Sequence, residues 1–269
     1  MGLFDFSEPE FLTFFAVLVR ISIITSVFPV LGEKVIPVPL KILLSLAITI
    51  VIFPLLVAKK YILIENATFW ASSTGSLIFT IAREVGFALA LGFVVRMIFE
   101  GIQIAGNICG TFMGFAAANT YDPTQEGNTQ VVSKILTTLA MLIFLSVDGH
   151  HVMLSGVFSS FKLVGIGKSQ IMASGFAEAL IHLAGEVIRI GFQMAAPLAV
   201  SIFAVNVVYG VFAKAMPQLN VLVLSFSVSA MLGLIVLVAS IPEFESVTVN
   251  WFDQLEDRMG NMIVHLSGK

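Results

Sequence analysis

The chain has 269 residues, 58% of them hydrophobic and only 12% charged, with a mean hydropathy of +1.00. Soluble domains carry about 25% charged residues, so this chain is built for lipid or for burial in a membrane assembly. A net charge of −3 and a pI near 5.8 leave no basic footprint and exclude nucleic acid as an expected partner, and a single cysteine, Cys109, excludes an internal disulfide and any cysteine-cluster metal site.

Taken in order, the first ten residues carry Asp5, Glu8 and Glu10 and no Lys or Arg, so no cleavable signal peptide is expected. Ser7-Glu8-Pro9-Glu10 reads as a helix start, with Ser7 as N-cap and acid in the first turn. Residues 11–30 are long enough to cross a hydrocarbon core of ~30 Å. Arg20 falls mid-span, where a charge must face protein or water rather than lipid, and Pro29 ends or kinks the run. A turn around Pro37 and Pro39 leads to a second apolar segment, 40–58, kinked near Pro54 and closed by Lys59 and Lys60. Residues 61–76 read as a mixed loop. The third segment, 77–99, holds Arg83, Glu84 and Arg96, with Glu100 just beyond. Arg96 and Glu100, four apart, can pair on one helix face, whereas the adjacent Arg83 and Glu84 each need a partner elsewhere.

Residues 101–123, GIQIAGNICGTFMGFAAANTYDP, are apolar yet written in small and soft residues. Gly106, Gly110 and Gly114 recur every fourth residue and make a side-chain-free helix face. Phe112, Met113 and Phe115 lie beside them, and Asn119-Thr120-Tyr121-Asp122-Pro123 closes the run with turn chemistry. Two readings stand on spacing: a packing face for a neighbouring helix, or a glycine-hinged segment that closes something with adaptable Met and Phe side chains.

A polar loop, 122–129, precedes the apolar run 131–147, which ends at Asp148-Gly149-His150-His151. A short segment to Phe161 and a loop with Gly165, Gly167 and Lys168 follow. Residues 176–215 are apolar for about two spans, with Pro197 expected to divide or kink them. Their first half carries Glu178, His182, Glu186, Arg189 and Gln193, at intervals of four, four, three and four residues, on one stripe. Lys214, Pro217, Gln218 and Asn220 form a polar break before the last span, 222–241. The tail 242–269 is acidic and then amphipathic, through Trp251, Phe252, Leu255, Met259 and Ile263, and reads as a surface or partner-bound helix. The expected fold is an all-α integral membrane protein, one domain over 1–269, with about six long apolar segments arranged as hairpins. Lys and Arg counts lean toward both termini on the cytoplasmic side.

Candidate chemistry is sparse. Asp148, His150 and His151 hint at a metal site, but adjacent histidines on a helix do not easily point at one ion, and no further Cys or His lies at ligand spacing. His182 with Glu178 and Glu186 offers a single histidine. No metal and no cofactor are therefore expected. Ser155 lacks the elbow of a hydrolase nucleophile, and no P-loop motif occurs, so no enzymatic activity is expected. The stripe from Glu178 to Gln193 has two readings: a proton or solute path, as in a secondary solute or ion transporter, or a buried polar seam joining helices or subunits. Without internal repeats the seam is preferred, and Arg20, Arg83, Arg96, Lys214, Gln218 and Asn220 join it as expected inter-helix or subunit contacts.

Four stretches, FFAVLVRISIITSVFPVLG, GFAAANTYDP, IFLSVDGHHVMLSGVFSSF and NVVYGVFAKAMPQLNV, together resemble the FliR/SctT family of type III secretion export-gate subunits, over nearly the whole chain. Lys214 stands where that family typically shows arginine, keeping the charge but losing the planar fork. The resemblance implies one copy in a hetero-oligomeric channel with FliP-type and FliQ-type subunits and an FlhB-type protein, at the flagellar basal body in the bacterial inner membrane. Unfolded flagellar proteins would pass through it, driven by the proton-motive force and a separate ATPase. The resemblance further implies that 101–127 is a channel plug. Gly106, Gly110 and Gly114 would then be its hinges, Phe112, Met113 and Phe115 its lumen-filling side chains, and Asn119, Tyr121, Asp122 and Pro123 its anchor.

Overall fold

Helix α1 (Glu8–Val27) starts where the Glu10 carboxylate accepts the Ser7 backbone N–H at 2.9 Å, satisfying a donor that a helix start would otherwise strand. Its buried residues, Thr13, Ala16, Val17, Arg20, Ile21, Ile24 and Thr25, follow the spacing of one helix face. The computed structural model of the chain describes residues 7–29, 36–115, 130–169, 174–215 and 221–267. Among them there is no strand, and the protein is all-α.

Helix α2 (Val38–Ala58) carries Pro54 inside it and buries little besides Ser45, Thr49 and Leu56. It packs on α1, where the Thr25 and Ser45 hydroxyls meet at 2.7 Å and Phe14 meets Phe53 edge to face. A 3-10 turn (Ile64–Asn66) and a one-turn helix α3 (Ala67–Trp70) occupy the expected loop. Helix α4 (Thr74–Phe112) follows, its start fixed by reciprocal Ser73 and Ser76 hydrogen bonds. Then come α5 (Gln130–Ser146), α6 (Gly149–Leu163), α7 (Ser174–Ala215), α8 (Val221–Ala239), α9 (Ile241–Asp253) and α10 (Leu255–Ser267).

Three expectations change. The third apolar segment and the start of the glycine-rich run are one helix, α4, because glycines spaced four apart keep a single face free for neighbours without breaking the backbone. Pro197 lies inside α7 instead of dividing it. A proline removes one intrahelical hydrogen bond, and the Pro197 carbonyl here also accepts the Ser201 hydroxyl at 2.7 Å. The amphipathic end of the tail turns its apolar face into this chain: Leu255, Met259, Met262, Ile263 and Leu266 of α10 are buried, and α10 packs on α6, where Met259 covers Gly156.

Four helices among the described residues, α1, α2, α4 and α7, are long and apolar enough to cross a membrane, and up to six spans result if two bent pairs each count as one. The chain folds as two compact units. The first comprises Met1–Arg96, Asp148–Leu183 and Gln254–Lys269; the second comprises Met97–Val147 and Ala184–Asp253.

Candidate functional site

In the first unit, the mid-span charge of α1 is the centre of a buried polar cluster. Arg20 Nε donates to Glu84 Oε2 of α4 at 2.6 Å, and both side chains are fully buried. Arg20 Nη1 donates to the Ser160 hydroxyl at 3.3 Å and to the Val164 carbonyl at 3.1 Å, at the end of α6. The guanidinium lies between the rings of Phe87 and Phe161, 4.5 and 4.3 Å from their centroids, a cation–π arrangement that a planar guanidinium suits. The other Glu84 oxygen accepts the Gly167 N–H at 2.8 Å, and Arg83 Nη1 donates to the Gly167 carbonyl at 3.0 Å. The adjacent Arg83 and Glu84 therefore grip the two sides of one peptide-bearing residue. Gly167 sits at φ +73°, a left-handed conformation that glycine accommodates without a Cβ clash.

In the second unit, the C-terminal half of α4 is a hub. A Cβ on Gly101 would press on Ile190 of α7, and one on Gly191 would press on Ile104 of α4, so paired glycines set that crossing. Gly106 lies against the Ser133 backbone of α5, where the Ser133 hydroxyl donates to the Gln103 carbonyl at 3.3 Å. Gly114, just past the helix at φ +85°, abuts Phe226 of α8, and buried Met113 packs against Gly233 of α8. Phe99, Phe144 and Phe252 form an aromatic cluster with centroids 5.0 to 5.7 Å apart, tying α4 to α5 and α9.

The expected site residues thus separate. Gly106 and Gly110 are buried within α4, Met113 is buried, Phe112 is 37% exposed and Phe115 is half-buried. Asn119, Tyr121, Asp122, Pro123, Gln218 and Asn220 lie outside the described residues. Arg20 and Arg83 come together around Glu84 and Gly167, while Arg96 is exposed farther along α4. On α7, Glu178, His182, Arg189 and Gln193 are exposed and Glu186 is half-buried; Lys214 is exposed at its end. Only 17% of the apolar window of α7 is buried within the chain, and the same share holds for α2. Gln193 also lines a pocket of the second unit with Cys109, Pro197, Ser240 and Glu243. Ser160, Gly167, Phe161, Ser133 and Gly233 escaped the sequence reading. Each acts by position in the fold, and only Gly167, in its expected loop, carries a local signal.

Long apolar helices, a mid-span arginine neutralised by another helix, and glycine crossings define an all-helical, membrane-embedded protein whose core is fixed by polar and small-residue contacts. The family model described as bacterial export proteins, family 1, matches residues 11–255, and the chain belongs to that family. Its relatives include the flagellar biosynthetic protein FliR of Pectobacterium carotovorum subsp. carotovorum, 29% identical over 254 residues and covering 94% of each chain. The FliR proteins of Bacillus subtilis (strain 168), with 94% of this chain and 95% of the relative covered, and of Escherichia coli (strain K12), with 94% and 93% covered, are each 26% identical to it.

Proposed function

We propose that the chain is a non-enzymatic structural subunit of the flagellar type III export gate in the bacterial inner membrane. In this reading it joins FliP-type and FliQ-type subunits, with an FlhB-type protein alongside, to form the channel that unfolded flagellar proteins traverse. The observation that carries the reading is family membership over residues 11–255. The geometry supports it in two ways. Helices α4 and α7 have 39 and 42 residues, about twice the ~20 residues that one membrane span requires, so each carries more helix than a single crossing uses. The exposed face of α7 also mixes apolar side chains such as Ile188, Phe192, Val200 and Phe203 with the charged stripe. Charge in a span is tolerated against protein or water rather than lipid, which suits a subunit interface.

Within that channel, residues 101–127 are proposed to act as the plug. In the described conformation the hub glycines Gly106 and Gly110 are helical, and Met113 is seated in the notch at Gly233. Opening would then require Met113 to leave the notch, with Gly114 as the swivel and Phe112 and Phe115 as the closing side chains.

The test is native mass spectrometry of the tagged protein expressed from its own operon and purified in mild detergent. One copy bound to several copies of two other small membrane proteins is the expected result. A stable, well-folded monomer or homodimer would overturn the gate reading and return attention to solute transport along the α7 stripe.

A further inference from the structure

We propose that Asp148, His150 and His151 form a binding site for one borderline divalent cation of the Zn2+ class at the start of α6. Neighbours on a continuous helix diverge by ~100° about the axis; His150 and His151 are such neighbours, in the first turn of α6, yet their side chains converge. Asp148 precedes the helix in a left-handed conformation, φ 56° and ψ 26°. It places its carboxylate 3.1 Å from His151 Nδ1 and 4.0 Å from His150 Nε2. The two imidazole rings lie side by side, centroids 4.1 Å apart and tilted by 39°, and one ligand atom from each residue lies within 4.8 Å of the other two.

The donor set selects the ion. Two imidazole nitrogens and one carboxylate oxygen suit Zn2+, Ni2+ or Cu2+, whereas Mg2+ and Ca2+ prefer all-oxygen shells. Ligand atoms around Zn2+ stand roughly 3.4 Å apart, given bonds of about 2.1 Å, so the cluster must draw in by about an ångström. Asp148 and His151 are free to do this, with side chains 72% and 69% exposed, while His150, 35% exposed, is the steadier anchor. Solvent exposure also leaves coordination positions open to water. The negative Asp148 offsets the unfavourable placement of a cation at a helix N-terminus. Binding would staple the residue before α6 to its first turn, and α6 is the helix whose far end supplies Ser160, Phe161 and Val164 to Arg20.

The experiment is a ZnCl2 titration of the full chain, purified in mild detergent with a tag that contains no histidine, followed by calorimetry and thermal unfolding. One Zn2+ per chain is expected, with a rise in melting temperature and no response to MgCl2. His150→Ala and His151→Ala should each weaken binding at least about tenfold, since even loss of an outer-sphere partner costs that much. Asp148→Asn should weaken it too while keeping the turn, because Asn tolerates the left-handed region; it decides the matter if the alanine variants fold poorly. His182→Ala should bind as the parent does. Absence of saturable Zn2+ binding, unchanged binding in the Asp148→Asn or His150→Ala/His151→Ala proteins, or loss of binding in His182→Ala would overturn the proposal.

Discussion

Arg20 and Glu84 are 64 residues apart in sequence and 2.6 Å apart in the fold, with both side chains wholly buried. Removing one partner of a buried pair leaves the other charge uncompensated, at a cost of about 3–5 kcal/mol. Arg20→Ala and Glu84→Ala are each expected to lower the melting temperature in detergent sharply, followed by circular dichroism. The double variant Arg20→Met/Glu84→Leu should recover most of the loss, because it removes both charges together. Arg20→Lys should behave more like the alanine variant than the parent, since an ammonium cannot reach Glu84, Ser160 and Val164 at once while stacking between Phe87 and Phe161.

The α4–α5 crossing depends on the absence of one methyl group. A Cβ at Gly106 would overlap the Ser133 backbone, whereas one at Gly210 or Gly185 meets nothing within 4 Å. Gly106→Ala is therefore expected to destabilise by at least about 1–3 kcal/mol through overpacking. Gly210→Ala should stabilise the isolated chain by up to about 1 kcal/mol through helix propensity. Thermal unfolding of the two variants side by side checks the contrast.

Phe112 and Met113 are neighbours with different surroundings. Met113 is 1% exposed and fills the space beside Gly233, while Phe112 is 37% exposed. Met113→Ala should cost about 2–5 kcal/mol as a core truncation, and Phe112→Ala much less. If residues 101–127 plug a channel, Phe112→Ala will raise the leak of small ions through cells that assemble the complex normally. Unchanged conductance with normal assembly would count against the plug.

The last helix is structural in this chain. Leu255 and Leu266 are fully buried, so Leu266→Ala should destabilise by about 2–5 kcal/mol. Deletion of 255–269 should expose the α6 face around Gly156 and make the first unit susceptible to protease. Limited proteolysis, timed against the parent, reads this directly.

Much of the architecture was legible because it rests on local chemistry. Low charge and long apolar runs dictated membrane helices, Ser7 and Glu10 marked the start of α1, and Pro29 stood two residues past its end. The position of Arg20 required a partner, and the adjacency of Arg83 and Glu84 required that each look elsewhere. Which partners they found could not be read. Helix packing over long sequence separations brings Ser160 and the Val164 carbonyl to Arg20, and Gly167 to both Arg83 and Glu84. The same holds for continuity. Pro197 and the glycines of α4 look like breaks in the sequence, but in apolar surroundings a broken backbone strands more polar groups than the single hydrogen bond a proline removes, so both helices run through. Sequence by itself determined the class, the helices and the need to neutralise buried charge. Tertiary structure alone decided which faces meet, because close packing depends on the shapes of side chains that no local pattern records.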